Sequence, residues 1–174
     1  AAYKSAEIVR GLKKAGSSVR VVMTQSAQEF ITPLTLQALS GNPVSSDLLD
    51  AEAEAAMGHI ELARWADAIL IAPATANTIA RLSSGRADDL LSTITLAFDG
   101  PIGLAPAMNQ AMWGDERTQS NIKNLKDKNF LLYGPGSGEQ ACGDVGLGRM
   151  LEPPEIIGLF ASLFEAGSFN LFFC

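Results

Sequence analysis

A chain of 174 residues can bury a substantial single core, about 68–70% of the surface its unfolded form exposes. Apolar residues at 47% against 18% charged exclude wholesale disorder. The net charge of −6, with only Lys123, Lys126 and Lys128 grouped and interrupted by Asp127, disfavours attraction to nucleic acid or to an anionic membrane surface.

In chain order, SAEIVRGLKKAG puts Ile8, Val9 and Leu12 on one helical face and ends at Gly16, a C-cap residue. SVRVVM (18–23) reads as a strand. Thr32 before Pro33 predicts a helix with proline at its first position, running to Ser40. After a loop of Ser, Asn and Pro, DAEAEAAM (50–57) holds strong helix formers. AILIAPA (68–74) is the continuous apolar run of a strand buried on both faces. TANTIARLSSG predicts a capped helix ending at Gly85, and DDLLSTITLAF another helix. PIGLAPA (101–107) is a second buried strand, DERTQSNIKNLKDK (115–128) an amphipathic helix with Ile122 and Leu125 inward, and FLLYG (130–134) a further strand. GPGSGEQACGDVGLGRM (134–150), with six glycines and no periodicity, predicts a long loop of the kind that forms functional lids. The chain returns to helix after Pro154, and the pattern gives the closing GSFNLFFC no place.

Strands and helices in alternation imply an α/β fold: a doubly wound parallel sheet, helices on both faces, ligands outside the carboxyl ends of the strands. With no internal repeat and no long linker, residues 1–154 are expected to form one domain, and 155–174 a C-terminal helix and tail packed on it. The two cysteines, Cys142 and Cys174, have neither zinc nor disulfide spacing, so no metal is expected and a reducing, cytoplasmic compartment is the simpler assumption. No apolar run approaches the roughly 20 residues of a bilayer span, and the N-terminal stretch lacks signal-peptide order.

Chemistry is sought at the strand ends. APATANT (72–78) offers small residues, two hydroxyls and an amide where a helix begins, as close approach of a phosphate or of a flavin's polar edge requires. A plain helix cap at Thr75 explains the same residues. MTQSA (23–27) repeats the property after the preceding strand, and two such sites favour a nucleotide-like ligand. His59, the only histidine, is either a satisfied structural residue or a group that moves protons near neutral pH. Asn109, in APAMNQAMW, is an N-cap, a ligand-binding amide, or both. Cys142, in QACGD, is a buried thiol or an exposed one on a glycine-rich loop. A thiol titrating at about 8.5 is mostly protonated at pH 7, and the adjacent Asp144 disfavours a thiolate, so Cys142 suits an acid better than a nucleophile.

Six stretches in order, ITPLTLQALSGNPV, MGHIELARWAD, LIAPATANTIA, ADDLLSTI, PAMNQAMW and GSGEQACGDVGLGRM, resemble the homo-oligomeric flavin-containing cysteine decarboxylases, and within them the phosphopantothenoylcysteine decarboxylases. The resemblance runs from the first residue to about Pro154. It implies a flavodoxin-like, Rossmann-like three-layer fold, FMN as cofactor, and trimers that in bacterial members build dodecamers. By motif position, Thr24, Gln25, Ser26, Thr75, Ala76, Asn77, Thr78 and Ala107 match FMN-contacting segments. His59, Asn109 and Cys142 match the active-site histidine, asparagine and cysteine, while Asn109, Glu139, Gln140 and Ala141 match substrate-binding positions.

The implied reaction is decarboxylation of 4′-phospho-N-pantothenoylcysteine to 4′-phosphopantetheine in coenzyme A biosynthesis. Oxidised FMN takes a hydride from the cysteine β-carbon, the thioaldehyde accepts the electrons left by CO2, and the hydride returns as an acid protonates the enethiol. Asn109 would orient the carboxylate and Cys142 would supply the proton. His59 would pack near the flavin or act as a base. Members open with a strand and a glycine-serine loop at the flavin phosphate, and the sequence starts after both. The central strand is therefore expected to be missing. A phosphopantothenate-cysteine ligase domain, fused or separate, is the implied partner, and Arg86 or Arg149 the candidate cation for the substrate phosphate. Two other readings are a peptidyl-cysteine decarboxylase and a noncatalytic regulatory flavin-binding subunit. The ACGD lid favours the phosphopantothenoyl substrate, and the presence of histidine, asparagine and cysteine together favours an enzyme.

Overall fold

AILIAPA forms strand β2 (Ala68–Ala74), and its alternate residues divide the hydrophobic core. Successive strand side chains point to opposite faces, so Leu70 and Ala72 join one cluster and Ile69 and Ile71 the other. On the first face lie helices α1 (Ala2–Lys14), α3 (Pro33–Ser40) and α9 (Pro153–Ala161), which contribute Ile8, Val9, Leu12, Leu36, Ile156 and Phe160. The opposite face is covered by α4 (His59–Trp65), α5 (Ala76–Ser83), α6 (Leu90–Ala97) and α8 (Glu116–Asp127), through residues that include Leu62, Ile79, Ile94, Ile122 and Leu125. A continuous apolar run is thus what a strand between two helix layers requires. The computed structural model describes residues 1–52, 58–140, 142–163 and 170–173, the last four by backbone alone.

The main sheet is parallel, in the order β1 (Ser18–Val21), β7 (Asn170–Phe173), β2, β3 (Ile102–Pro106), β4 (Leu131–Leu132). The α/β fold with a parallel sheet and helices on both faces is therefore as the sequence implies. Two expectations change. GSFNLFFC, left without a place, supplies β7, whose Leu171 pairs with Val19 on one side and Ala68 on the other. The position between β1 and β2, expected to lack a strand, is filled by this segment. A short apolar NLFF run behind Gly-Ser has the composition of a parallel strand, but it is too short for periodicity to reveal it.

The second change concerns residues 134–150. Instead of a structureless loop they form an antiparallel hairpin of β5 (Gly136–Glu139) and β6 (Val145–Arg149), with Glu139 opposite Val145. Glycine at alternate positions erased the side-chain pattern by which a strand is recognised. Close approach explains the glycines themselves: a Cβ at Gly146 would enter the Gln110 side chain, and one at Gly148 would overlap the Met108 carbonyl oxygen.

The remaining boundaries follow their caps. Thr32, Thr75, Asp89 and Asp115 each accept a backbone N–H of the first helical turn, and Pro33 sits at the first position of α3. The helix expected over 50–57 lies largely outside the described residues.

Candidate active site

The strands of the main sheet end toward one edge, where β1 leads to Thr24, β2 to Thr75 and β3 to Ala107 and Asn109. Short α2 (Gln25–Gln28) starts there, with Thr24 Oγ1 accepting the Ala27 N–H at 3.2 Å. Helix α5 starts at the end of β2, with Thr75 Oγ1 accepting the Thr78 N–H at 3.1 Å. Ala107 N–H donates to Ala74 O at 3.1 Å, which carries the end of β3 against the end of β2. The cap reading of Thr24 and Thr75 and the ligand reading coexist, because a capping hydroxyl leaves other first-turn N–H groups directed outward.

Asn109 is the N-cap of α7 (Gln110–Gly114), and the cap determines what its amide can do. Its Oδ1 accepts the Ala111 N–H at 2.8 Å. The amide nitrogen must then face away from the helix, and both of its hydrogens are available to the lid. Nδ2 donates to Asp144 Oδ2 at 2.9 Å and to Cys142 Sγ at 3.6 Å, while the Cys142 thiol donates to the same Asp144 oxygen at 3.4 Å. An amide, a thiol and a carboxylate from segments more than 30 residues apart in sequence therefore form one triangle. Cys142 is exposed and free.

The β5–β6 hairpin, whose turn carries Cys142 and Asp144, is fastened to the Asn109 segment by backbone and amide bonds. Met108 N–H donates to Gly148 O at 2.9 Å, and Gln110 N–H donates to Gln140 Oε1 at 3.1 Å. Gln140 Nε2 in turn donates to Leu147 O at 3.3 Å, and Gln140 N–H to Asp144 O at 2.8 Å. At the root of the hairpin, the buried ammonium of Lys4 donates to Met150 O at 2.8 Å and to Glu152 Oε1 at 3.0 Å. That hydrogen bond and charge hold the Glu152 carboxyl below its ordinary range.

Asn109, Cys142 and Gln140 are thus brought together, and Glu139 lies exposed on the same hairpin; Ala141 lies outside the described residues. His59 opens α4 behind the N-cap Gly58, and Asn109 and Cys142 are gathered by bonds to each other and to Asp144. Of the two candidate phosphate cations, Arg149 is on β6 and pairs with Glu152 at 3.2 Å. Arg86 pairs with Asp88 at 3.3 Å and follows the far end of α5, about 12 Å of helix from Thr75. That distance removes Arg86 from the strand-end site. The sequence singles out Asp144 only as a charge that disfavours a Cys142 thiolate, and its bond to Asn109 comes from the hairpin turn.

A flavodoxin-like sheet with capped helix starts at its carboxyl edge and a hairpin that holds a thiol against an amide defines a flavin-binding class of α/β protein. The chain belongs to the Flavoprotein family, whose model matches residues 1–165. It is 60% identical over 165 residues to the coenzyme A biosynthesis bifunctional protein CoaBC of Haemophilus influenzae, and 55% identical over 165 residues to that of Escherichia coli. Each match covers 95% of this chain and 41% of the relative, so the chain spans about two fifths of the length of these proteins. Among solved structures, it is similar to a mutant PPC decarboxylase complexed with pantothenoylaminoethenethiol, at TM-score 0.79 and 31% identity over 93% of both chains. The FMN binding protein AtHal3 matches at TM-score 0.79 and 32% identity, covering 96% of this chain and 93% of its own.

Proposed function

We propose that the chain is an FMN-dependent carboxy-lyase that converts 4′-phospho-N-pantothenoylcysteine to 4′-phosphopantetheine in coenzyme A biosynthesis. The observation that carries this reading is the juxtaposition of the Asn109 amide with the Cys142 thiol of a fastened hairpin. The similarity to the CoaBC proteins and to a PPC decarboxylase supports it.

The residues present fit the cofactor. Thr24, Gln25 and Ser26 follow β1, Thr75, Ala76, Asn77 and Thr78 follow β2, and Ala107 follows β3, so hydroxyls, amides and small side chains gather at the carboxyl edge of the sheet, the chemistry that a flavin's polar edge and phosphate would take. Bound FMN supplies a reversible hydride acceptor, which turns the cysteine moiety into an electron sink for the departing CO2.

The protein's own part is orientation and proton supply. Asn109, held by its cap bond to Ala111, presents two N–H donors to the substrate carboxylate; a fixed neutral donor pair positions the group without the ion pair that would oppose its loss. Cys142, as the neutral thiol, protonates the enethiol once CO2 has gone. Gln140 joins the closed hairpin to Gln110, and Glu139 and Ala141 are proposed as further substrate-binding residues. His59 packs near the flavin or serves as a base. Arg149, exposed on the hairpin, is the cation for the substrate phosphate.

Residues 1–154 are proposed to carry the decarboxylase site, with α9 packed on the sheet and β7 inserted within it. A homotrimer or a dodecamer of trimers, a cytoplasmic location and a phosphopantothenate-cysteine ligase partner complete the proposal. No helix among the described residues is long and apolar enough to cross a membrane. Incubating the FMN-loaded protein with 4′-phospho-N-pantothenoylcysteine should release CO2 and yield 4′-phosphopantetheine with no net change in flavin redox state. Flavin-loaded protein that leaves the substrate intact refutes the reading.

A further inference from the structure

We propose that Asp144 is a gate for the substrate carboxylate: in the closed hairpin its own carboxylate occupies the Asn109 amide, and substrate enters by displacing it. The inference rests on the reading of Asn109 as the carboxylate-binding residue. Three observations carry it. The cap bond from Ala111 leaves the Asn109 amide only its N–H side to offer, and Asp144 Oδ2 takes it at 2.9 Å, within the range of a charge-assisted hydrogen bond. The same oxygen takes the Cys142 thiol at 3.4 Å, so one carboxylate occupies both groups assigned to the reaction. Asp144 makes no salt bridge with Lys or Arg among the described residues, and its placement comes from the turn in which Gln140 N–H donates to Asp144 O and Gly143 N–H to Gln140 O.

Two carboxylates cannot share one neutral amide, because their like charges repel at hydrogen-bond separation. Arrival of the substrate carboxylate therefore drives Asp144 off Asn109 and releases the thiol. Loss of CO2 removes the competing anion. The product has no carboxylate to hold the amide with, and Asp144 returns to it. Asp144 is in this sense a positioning and specificity residue: it penalises the carboxylate-bearing ligand by occupying its place and leaves a ligand without a carboxylate unaffected.

The test compares FMN-loaded wild type with Asp144→Asn and Asp144→Ala, reading KM and kcat for 4′-phospho-N-pantothenoylcysteine and the inhibition constant of 4′-phosphopantetheine. Flavin absorbance and thermal melting show that each variant is folded, and the near-isosteric asparagine guards against collapse of the turn. The expected result is a KM roughly tenfold lower in both variants, the factor conveyed by one charge-assisted hydrogen bond, with the product constant unchanged. An unchanged or raised KM, or substrate and product constants that move together, overturns the proposal. Asn109→Ala is run alongside to separate the two claims. If it retains the wild-type KM and kcat, Asn109 does not bind the carboxylate and the underlying reading fails. If it loses substrate binding while the Asp144 variants show no gain, only the gate is wrong.

Discussion

Gly148→Ala places a side chain where the hairpin backbone crosses the Asn109 loop. Gly148 has φ +136°, and a Cβ there would stand 2.9 Å from Gln140 Nε2, 3.3 Å from the Asn109 carbonyl carbon and inside the van der Waals envelope of Met108 O. The backbone conformation costs a residue with a side chain about 1–3 kcal/mol, and the overlap a further ~1–3 kcal/mol. No rotamer relieves it, because the Met108 oxygen is backbone. The low end, about 2 kcal/mol, falls on the closed hairpin alone and reduces the equilibrium constant for closing roughly 30-fold. Global stability should change little, since the described residues of the hairpin tip contribute no side chain to either hydrophobic cluster. The assay pairs kcat/KM for 4′-phospho-N-pantothenoylcysteine with the melting temperature. Expected are a loss in kcat/KM of about 30-fold or more and a Tm within about 3 °C of wild type, the shift that 1 kcal/mol of global destabilisation gives. Wild-type kcat/KM, or a loss matched by a large fall in Tm, refutes the reasoning.

Asn109→Asp sets a carboxylate against both Asp144 and the substrate carboxylate; kcat/KM should drop at least about 100-fold with FMN content intact, and near-normal turnover would reduce Asn109 to a helix cap. Cys142→Ser should release CO2 but stall, accumulating an oxidised enethiol product beside reduced flavin, visible as bleached flavin absorbance and by mass spectrometry. Recovery of untouched substrate alone would remove Cys142 from the reductive half. Lys4→Met leaves the Met150 carbonyl without its buried donor and should destabilise the fold by roughly 1–3 kcal/mol in urea unfolding. The same change alters the acid response. Hydrogen bonding from Lys4 lowers the Glu152 carboxyl in the folded state. Its stabilising contribution is therefore complete above the ordinary value of 4.5 and fades as pH falls through the lowered folded value. The Lys4→Met variant should lose that part of the acid limb, and an unchanged limb contradicts the assignment.

What the sequence disclosed and what it hid have physical reasons. AILIAPA was legible because a strand covered on both faces is apolar at every position, and Thr32-Pro33 because a cap followed by proline fixes a helix start from two residues. Asn109 was legible as a cap or a ligand group, and the structure shows why the alternatives need not compete: Oδ1 serves the helix while Nδ2 faces Cys142 and Asp144. The hairpin was hidden because strand recognition depends on side chains, and its glycines exist to bring backbone onto the Met108 and Gln110 region. The contact of Asp144 with Asn109 spans 35 residues of sequence and depends on that unrecognised hairpin. Strand β7 was hidden by its brevity, since four residues carry too little pattern to separate strand from helix.

The central claim is that this chain decarboxylates a cysteine-derived substrate with the aid of bound FMN. Its most direct test is mass spectrometry of the FMN-loaded protein incubated with 4′-phospho-N-pantothenoylcysteine carrying 13C in the cysteine carboxyl group. The account predicts one labelled CO2 for each 4′-phosphopantetheine formed, over many turnovers and without added oxidant. Label that stays on the substrate while FMN remains bound would contradict it.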